Sequence, residues 1–310
     1  MFKNIVSVDI GSSLIKLAQL SQSDGKIRLD KVGVTNNPIP RLGTASEITK
    51  KDAIVQVIKR SLKENHVRAK DTVSSLAGSS LIIQYFKFPL LSEKDLESTV
   101  RLEAERIMSD RLAQMDTDFQ ALSPEQEKKK EEDILFVAIP RVIVGHRLNI
   151  LREAGLNPIA IDIDSMALAN CFLRLKNTAF SESVMVLNLG AKLVNLVILN
   201  KGSLHFLRDI ALDLKAPLDL KDKKILEKTV GEIRRSIHYY EARKRKNKVG
   251  KIFFTGGAIT TSGITDSFSK ALGLPVEGWN PLKDVEYPSG LAENKGYLLA
   301  VAIGLGLREK

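Results

Sequence analysis

The chain has 310 residues, 44% of them hydrophobic and 27% charged, with a formal net charge of +10, a balance that supports a packed core and excludes an intrinsically disordered protein. Its single cysteine, Cys171, excludes an internal disulfide and a cysteine-based zinc site, and its four histidines have no metal-binding spacing. No apolar run reaches the roughly 20 residues of a membrane-spanning helix, and Met1-Phe2-Lys3-Asn4 does not begin a signal peptide, so a cytoplasmic location is expected.

The length exceeds what one compact core usually supports, which predicts two lobes with a cleft between them. Ile5 to Ile10 alternates apolar residues, breaks at Gly11-Ser12-Ser13 and resumes from Leu14 to Leu20: strand, tight turn, strand. A third strand follows over Ile27–Val34, then a helix carrying Ile54, Val57, Ile58 and Leu62, then a short strand over Val73–Ala77. An apolar strand from Leu81 to Phe88 leads through Ser92-Glu93-Lys94-Asp95, which has capping-box spacing, into a helix with Leu96, Val100, Ala104 and Ile107 on one face. Strands over Asp118–Leu122 and Ile134–Ile139, a polar loop from Ser123 to Asp133 and a helix ending at Gly155 complete this unit.

Ile159 to Ile163 is the next strand, with Asp162 and Asp164 expected to cap the helix that follows it through Leu168 and Leu173. After a linker at Asn177–Ser183 the opening pattern returns as Val184–Leu189, Gly190-Ala191-Lys192 and Leu193–Leu199, then a strand over Ser203–Ile210. The matching Asp9-Ile10-Gly11 and Asn188-Leu189-Gly190 turns predict an internally duplicated α/β architecture. Leu226, Val230, Ile233, Ile237 and Tyr240 mark a long amphipathic helix. Its end runs into the basic segment Arg243 to Lys248, expected to be a solvated helix terminus. Ile252 to Gly257 is a buried strand entering a glycine turn. Helices over Thr260–Leu272 and Leu298–Leu307 follow, with Trp279 and Pro281 in a turn.

The turn amides and hydroxyls of Gly11, Ser12 and Ser13 suit phosphate oxygens, Lys16 adds a positive charge, and Asp9 is placed to hold a magnesium ion through water. An ordinary hairpin turn explains the same residues when each is taken alone. Together with Gly190-Ala191 and Thr255-Gly256-Gly257 they fall at strand ends of two lobes, in the order of two phosphate loops and an adenosine loop.

In that order the sequence resembles the actin and Hsp70 type of ATPase, and within it the PilM family of FtsA-like type IV pilus assembly proteins. The resemblance rests on Val8 to Ser13 with Lys16-Leu17; on Leu96-Glu97, Arg101 to Glu105 and Asp118 to Gln120; on Ala154-Gly155-Leu156 with Ile161-Asp162; and on Glu232 to Tyr240 and Lys251 to Gly257. It implies a two-lobed actin-like fold: a first lobe over 1–79 and 154–180, an inserted α+β subdomain over 80–153, and a shortened second lobe over 181–310. It implies ATP with magnesium as cofactor, at Asp9, Gly11, Ser12, Ser13, Lys16, Gly190, Ala191, Gly256 and Gly257. As partner it implies the cytoplasmic N-terminal segment of a PilN-like inner-membrane protein, held by apolar residues of the insert such as Leu81, Ile83, Phe86 and Leu102, which serve equally well as its core. Membrane contact would be indirect, and nucleic acid is not expected as a partner, because no reading motif accompanies the charge.

Two departures concern the cleft. Asn188 stands where the family has a carboxylate, so one participant in metal-assisted hydrolysis is missing. The stretch from Ala211 to Lys224 bridges directly an interval where relatives continue with a Gly-Gly turn and a helical region, which removes part of an adenosine pocket wall. The resulting expectation is a scaffold with no assigned catalytic residue and weak or degenerate ATP binding. The alternative is an ATPase cycling between open and closed lobes.

Overall fold

A computed structural model describes residues 4–23, 25–42, 46–122, 130–176, 180–212, 219–244 and 247–308. The chain opens on β1 (Ile5–Ile10), β2 (Leu14–Ser23) and β3 (Lys26–Asn36), then passes α1 (Ile39–Leu42) and α2 (Glu47–Glu64) to β4 (Asp71–Leu76). Next come β5 (Ile82–Pro89), α3 (Glu93–Met108), β6 (Met115–Ala121), β7 (Glu131–Pro140), α4 (Arg141–Glu153), β8 (Asn157–Ile163) and α5 (Asp164–Leu175). The last third holds β9 (Ser183–Leu189), β10 (Leu193–Asn200), β11 (Ser203–Ala211), α6 (Lys223–Arg243), β12 (Val249–Thr255), α7 (Ile264–Leu272), β13 (Val276–Gly278) and α8 (Ala300–Gly306).

These elements form two compact units, Met1–Ala77 with Leu148–Lys310, and Gly78–Arg147. The larger unit contains two five-stranded sheets of the same design, ordered β3-β2-β1-β4-β8 and β11-β10-β9-β12-β13. In each, three strands form an antiparallel meander and two more add in parallel, so the predicted duplication is realised strand for strand.

The first sheet takes its core from Val6, Val8, Ile15 and Leu17, packed against Ile54, Ile58 and Leu62 of α2 and Ile150 and Leu151 of α4. Helix α2 forms because Ser46 caps it, accepting from the Thr49 amide, and because its apolar residues recur at helical spacing. In the second half Asp222 caps α6 through the Lys224 and Ile225 amides, and Arg208 of β11 holds that helix through Ser236 and Glu232.

Helices α5 and α8 join the two sheets. The α8 residues Val301 and Leu305 pack with Val73 and Ala167, and the Ser7 hydroxyl donates to the Ala302 carbonyl at 2.6 Å. A Cβ on Gly304 would overlap the Ala167 carbonyl, so the α5–α8 crossing requires glycine. Further along α5, Phe172 lies 5.1 Å from Phe253 and 4.8 Å from Trp279, ring centre to ring centre. Trp279, in the short stretch between β13 and a 3-10 turn over Pro281–Asp284, is buried in this cluster.

In the smaller unit the sheet β5-β7-β6 carries α3 on one face, with Phe86, Phe88, Val100, Ala104, Met108, Ile134 and Phe136 as its core. Ser92 caps α3 as its spacing predicts, accepting from the Asp95 amide at 3.3 Å. Glu103 and Glu105 pair with Arg106 and Arg101 on its surface.

Three expectations are corrected. The helix predicted from Thr260 begins at Ile264, because Gly263 takes φ +71° and separates it from a 3-10 turn over Gly257–Thr260. The final helix starts at Ala300, after a 3-10 turn over Glu293–Leu298. The strand placed at Asp118–Leu122 starts at Met115. The loop at 123–129, the linker core at 177–179, residues 213–218 of the shortened bridge and residues 245–246 of the basic run lie outside the described residues.

Candidate functional site

The turn after β1 and the turn after β9 are built alike. Asp9 faces Lys16 across β1 and β2, and Asn188 faces Asn195 across β9 and β10, at the same offset along the chain. The Gly11 amide donates to the Leu14 carbonyl at 3.0 Å, and the Gly190 amide donates to the Leu193 carbonyl at 2.9 Å. A Cβ on Gly11 would come within 2.9 Å of Lys16 Nζ and 3.0 Å of the Leu14 carbonyl oxygen, and one on Gly190 within 2.9 Å of the Leu193 carbonyl oxygen. These two glycines are therefore fixed by the hairpins themselves.

What the matched positions carry differs. Lys16 Nζ closes an ion pair with Asp9 Oδ2 at 2.8 Å, with side-chain exposures of only 14% and 5%. In the second half the network is one of amides: Asn188 Nδ2 donates to Asn195 Oδ1 and Asn195 Nδ2 donates to Asp209 Oδ1, both at 2.8 Å. Asn195 presents its oxygen to Asn188 and its NH2 to Asp209, which gives the chain of bonds a direction.

Asp164, at the start of α5, belongs to the same cluster. Burial, with the Asp9 and Asp209 carboxylates nearby, pushes its carboxyl up to about 7, while Ser75 and Lys16 act in the opposite sense. The expectation that Asp164 caps its helix is thus corrected: Ile163 occupies the cap position without a side-chain bond. Its neighbour Asp162 accepts from the Ile163 amide and pairs with Arg308 at 3.2 Å.

The glycine turn after β12 completes the group. Gly256 has φ +93°, its amide donates to the Tyr297 carbonyl at 2.7 Å, and a Cβ there would lie 2.6 Å from Asn188 Oδ1 and from the Leu189 amide nitrogen and carbonyl oxygen. The structure thus places Asp9, Gly11 and Lys16 side by side at the first turn, and Gly256 against Asn188 and Leu189, next to Gly190. Ser12, Ser13, Ala191 and Gly257 sit on the flanking turns, with Ser13 anchored by its carbonyl accepting from the Asn37 amide at 2.8 Å.

The donor set fits magnesium and phosphate in part. Asp9 is a hard oxygen donor, but among the described residues no three His, Cys, Asp or Glu side chains are grouped to hold a metal ion, and the Asp9 and Asp209 carboxylates act on Asp164 only by raising its pKa. The hydroxyls of Ser12 and Ser13 and the Lys16 ammonium suit phosphate oxygens, but the Gly11 and Gly190 amides are already used inside their own hairpins and Lys16 is neutralised by Asp9. The sequence alone does not mark Asn195, Asp164 or Asp209 as facing a ligand. Asn195 left a signal, a lone amide inside the apolar strand Leu193-Val194-Asn195-Leu196-Val197. Asp164 and Asp209 come together only through sheet register and helix packing.

The four residues expected to hold a partner take different positions in the smaller unit. Phe86 is buried in the core beneath α3, with its ring centre 5.6 Å from that of Phe136. Ile83, of opposite parity on β5, lies on the other face of the sheet, and Leu81 is half-buried just before the strand. Leu102 is 66% exposed on the outer face of α3. Together they do not form one surface.

Duplicated five-stranded sheets with matching turns after β1 and β9, and with helices α5 and α8 packed beside them, define an actin-like fold. A solved structure described as a PilM-PilN type IV pilus biogenesis complex is similar to the chain, with a TM-score of 0.82 at 23% identity over 99% of this chain and 98% of that one. A Bacteroides thetaiotaomicron protein with an actin-like ATPase fold and unknown function is also similar, with a TM-score of 0.50 at 10% identity, over 89% and 91%. The model of one family, described as type IV pilus assembly protein PilM, matches residues 7–213 and 223–310. The chain belongs to the PilM family.

Proposed function

We propose that the chain is a cytoplasmic scaffold of a type IV pilus, or of a related secretion system, recruited to the inner membrane by binding the cytoplasmic N-terminal segment of a PilN-like protein. Family membership across nearly the whole chain carries this reading, and likeness of fold to a PilM-PilN complex supports it. No helix among the described residues is long and apolar enough to cross a membrane, in keeping with recruitment through a partner. Of the four residues expected on the smaller unit, Leu102, exposed on α3, is the contact residue proposed here; Leu81 and Ile83 lie on other surfaces and Phe86 belongs to the core.

Nucleotide binding is proposed to be weak and uncoupled from turnover. Asp9, Gly11, Ser12, Ser13, Lys16, Gly190, Ala191, Gly256 and Gly257 would hold ATP, with Asp9 toward magnesium, which would supply charge neutralisation of the phosphates. Asn188 cannot orient a metal-bound water as a carboxylate would, and its amide is committed to Asn195. This favours the scaffold over the cycling ATPase.

The test is fluorescence anisotropy with a labelled synthetic peptide carrying the N-terminal cytoplasmic residues of the PilN homologue from the same organism. Saturable binding that Leu102→Glu weakens is expected. No binding at high micromolar concentration overturns the reading.

A further inference from the structure

We propose that the two lobes of the larger unit are clasped at the outer edge of the first sheet by the backbone of Glu286, and that this clasp holds the cleft at one angle. The inference does not rest on the PilN reading and extends beyond it.

Strand β3 is the edge of the first sheet. An edge strand turns every second N–H and C=O away from its neighbour and accepts another extended segment there. Glu286 does this from the second half of the chain, in the connection that follows β13. Its carbonyl accepts from the Leu29 amide at 2.7 Å and its amide donates to the Ile27 carbonyl at 3.1 Å, which makes a parallel bridge opposite Arg28. The Lys26 ammonium lies 3.7 Å from the Glu286 carboxylate, but both groups are well exposed, so the backbone pair carries the contact.

The position of this bridge gives it leverage. The most extensive packing between the halves involves α5 and α8, and α8 packs over β1, β2 and β4 with Ser7 bonded to Ala302. Helices crossing at one place leave rotation about that crossing free. The bridge lies on β3, two strands out from β1, so about 10 Å to the side at the usual strand spacing. A third attachment away from the axis stops the rotation, because any opening that separates β3 from the second lobe must stretch both hydrogen bonds.

The bridge is a single residue and not a ladder. Beyond it, among the described residues, only β2 bonds the backbone of β3 from Asp30 to Asn36. There the seam widens into a groove of about 490 Å³ between Val32 and Val34 on one side, His66 at the end of α2, and Pro288 and Leu291 of the second half. A one-residue clasp beside a groove can release without unfolding either sheet.

Spin labels test this, because Cys171 is buried and leaves the surface free for engineered cysteines. The full chain carrying Lys59→Cys on α2 and Lys270→Cys on α7 reports the lobe-to-lobe distance by pulsed electron–electron resonance. One narrow distance is expected in the parent, unchanged by Glu286→Ala, which keeps the backbone bonds. Glu286→Pro removes the donated bond and should broaden the distribution at least twofold. A separate, spin-label-free variant with Arg28→Cys and Glu286→Cys should form a disulfide rapidly on mild oxidation. An unchanged distribution in Glu286→Pro overturns the proposal. So does a parent distribution that is already broad, or a cysteine pair that does not close in folded protein.

Discussion

Asp9 and Lys16 face each other across β1 and β2 at 2.8 Å, and the residues at their duplicated positions, Asn188 and Asn195, face each other across β9 and β10 at the same 2.8 Å. One backbone arrangement thus holds an ion pair in the first lobe and an amide pair in the second.

The ion pair is nearly closed off from water, so removing one partner leaves a charge without compensation. Lys16→Met should cost about 3 kcal/mol, and the double change Asp9→Asn with Lys16→Met should recover most of it. A double-mutant cycle by urea denaturation measures the coupling. The single Lys16→Met change should also abolish whatever affinity for ATP with magnesium calorimetry detects in the parent.

Asp164 sets a pH dependence. Its carboxyl titrates near 7 in the folded protein, against an ordinary value of 3.8. The folded state therefore keeps a proton that the unfolded state loses first, and the contribution to stability is full below about pH 4 and is lost as the pH rises through about 7. Asp164→Asn should flatten that slope and stabilise the protein at pH 8 by on the order of 2 kcal/mol, a figure discounted for the partial reach of water. Chemical denaturation at pH 5 and pH 8 reads both effects.

Restoring a carboxylate at position 188 should not restore an enzyme. Asn188→Asp turns an oxygen toward Asn195 Oδ1, and Asn195 cannot rotate to donate without giving up its bond to Asp209. A stability loss of about 1–3 kcal/mol is expected, with ATP turnover no higher than in the parent. A phosphate-release assay alongside a melting curve separates the two outcomes.

Gly304→Ala places a methyl group against the Ala167 carbonyl at the α5–α8 crossing. Overpacking of a fixed backbone contact should cost about 2–3 kcal/mol and lower the melting temperature by several degrees. Gly145→Ala, where a Cβ meets open space on α4, should be neutral or slightly stabilising.

Features with a local cause were legible in the sequence. The strand-turn-strand doublets announced themselves through alternation and glycine, Ser92 through its spacing to Asp95, and α6 through its apolar period. Other features have distant causes. Strand β13 is three residues long and exists because Ile252 and Phe254 of β12 pair with Val276 and Gly278, and no three-residue pattern announces that. Asp164 looks in sequence like a helix cap, and only the folding of β1 and β11 beside it makes it a cleft acid. Phe86 and Ile83 are close in sequence, but strand parity sends them to opposite faces of a sheet.

The matching sheets have a further use. Because each position near the first turn has a twin in the second, the protein contains its own control. Gly11 and Gly190 repeat the same hairpin bond, and what repeats belongs to the architecture. Asp9 and Lys16 have no charged twins, and what fails to repeat marks where the two copies have divided their labour.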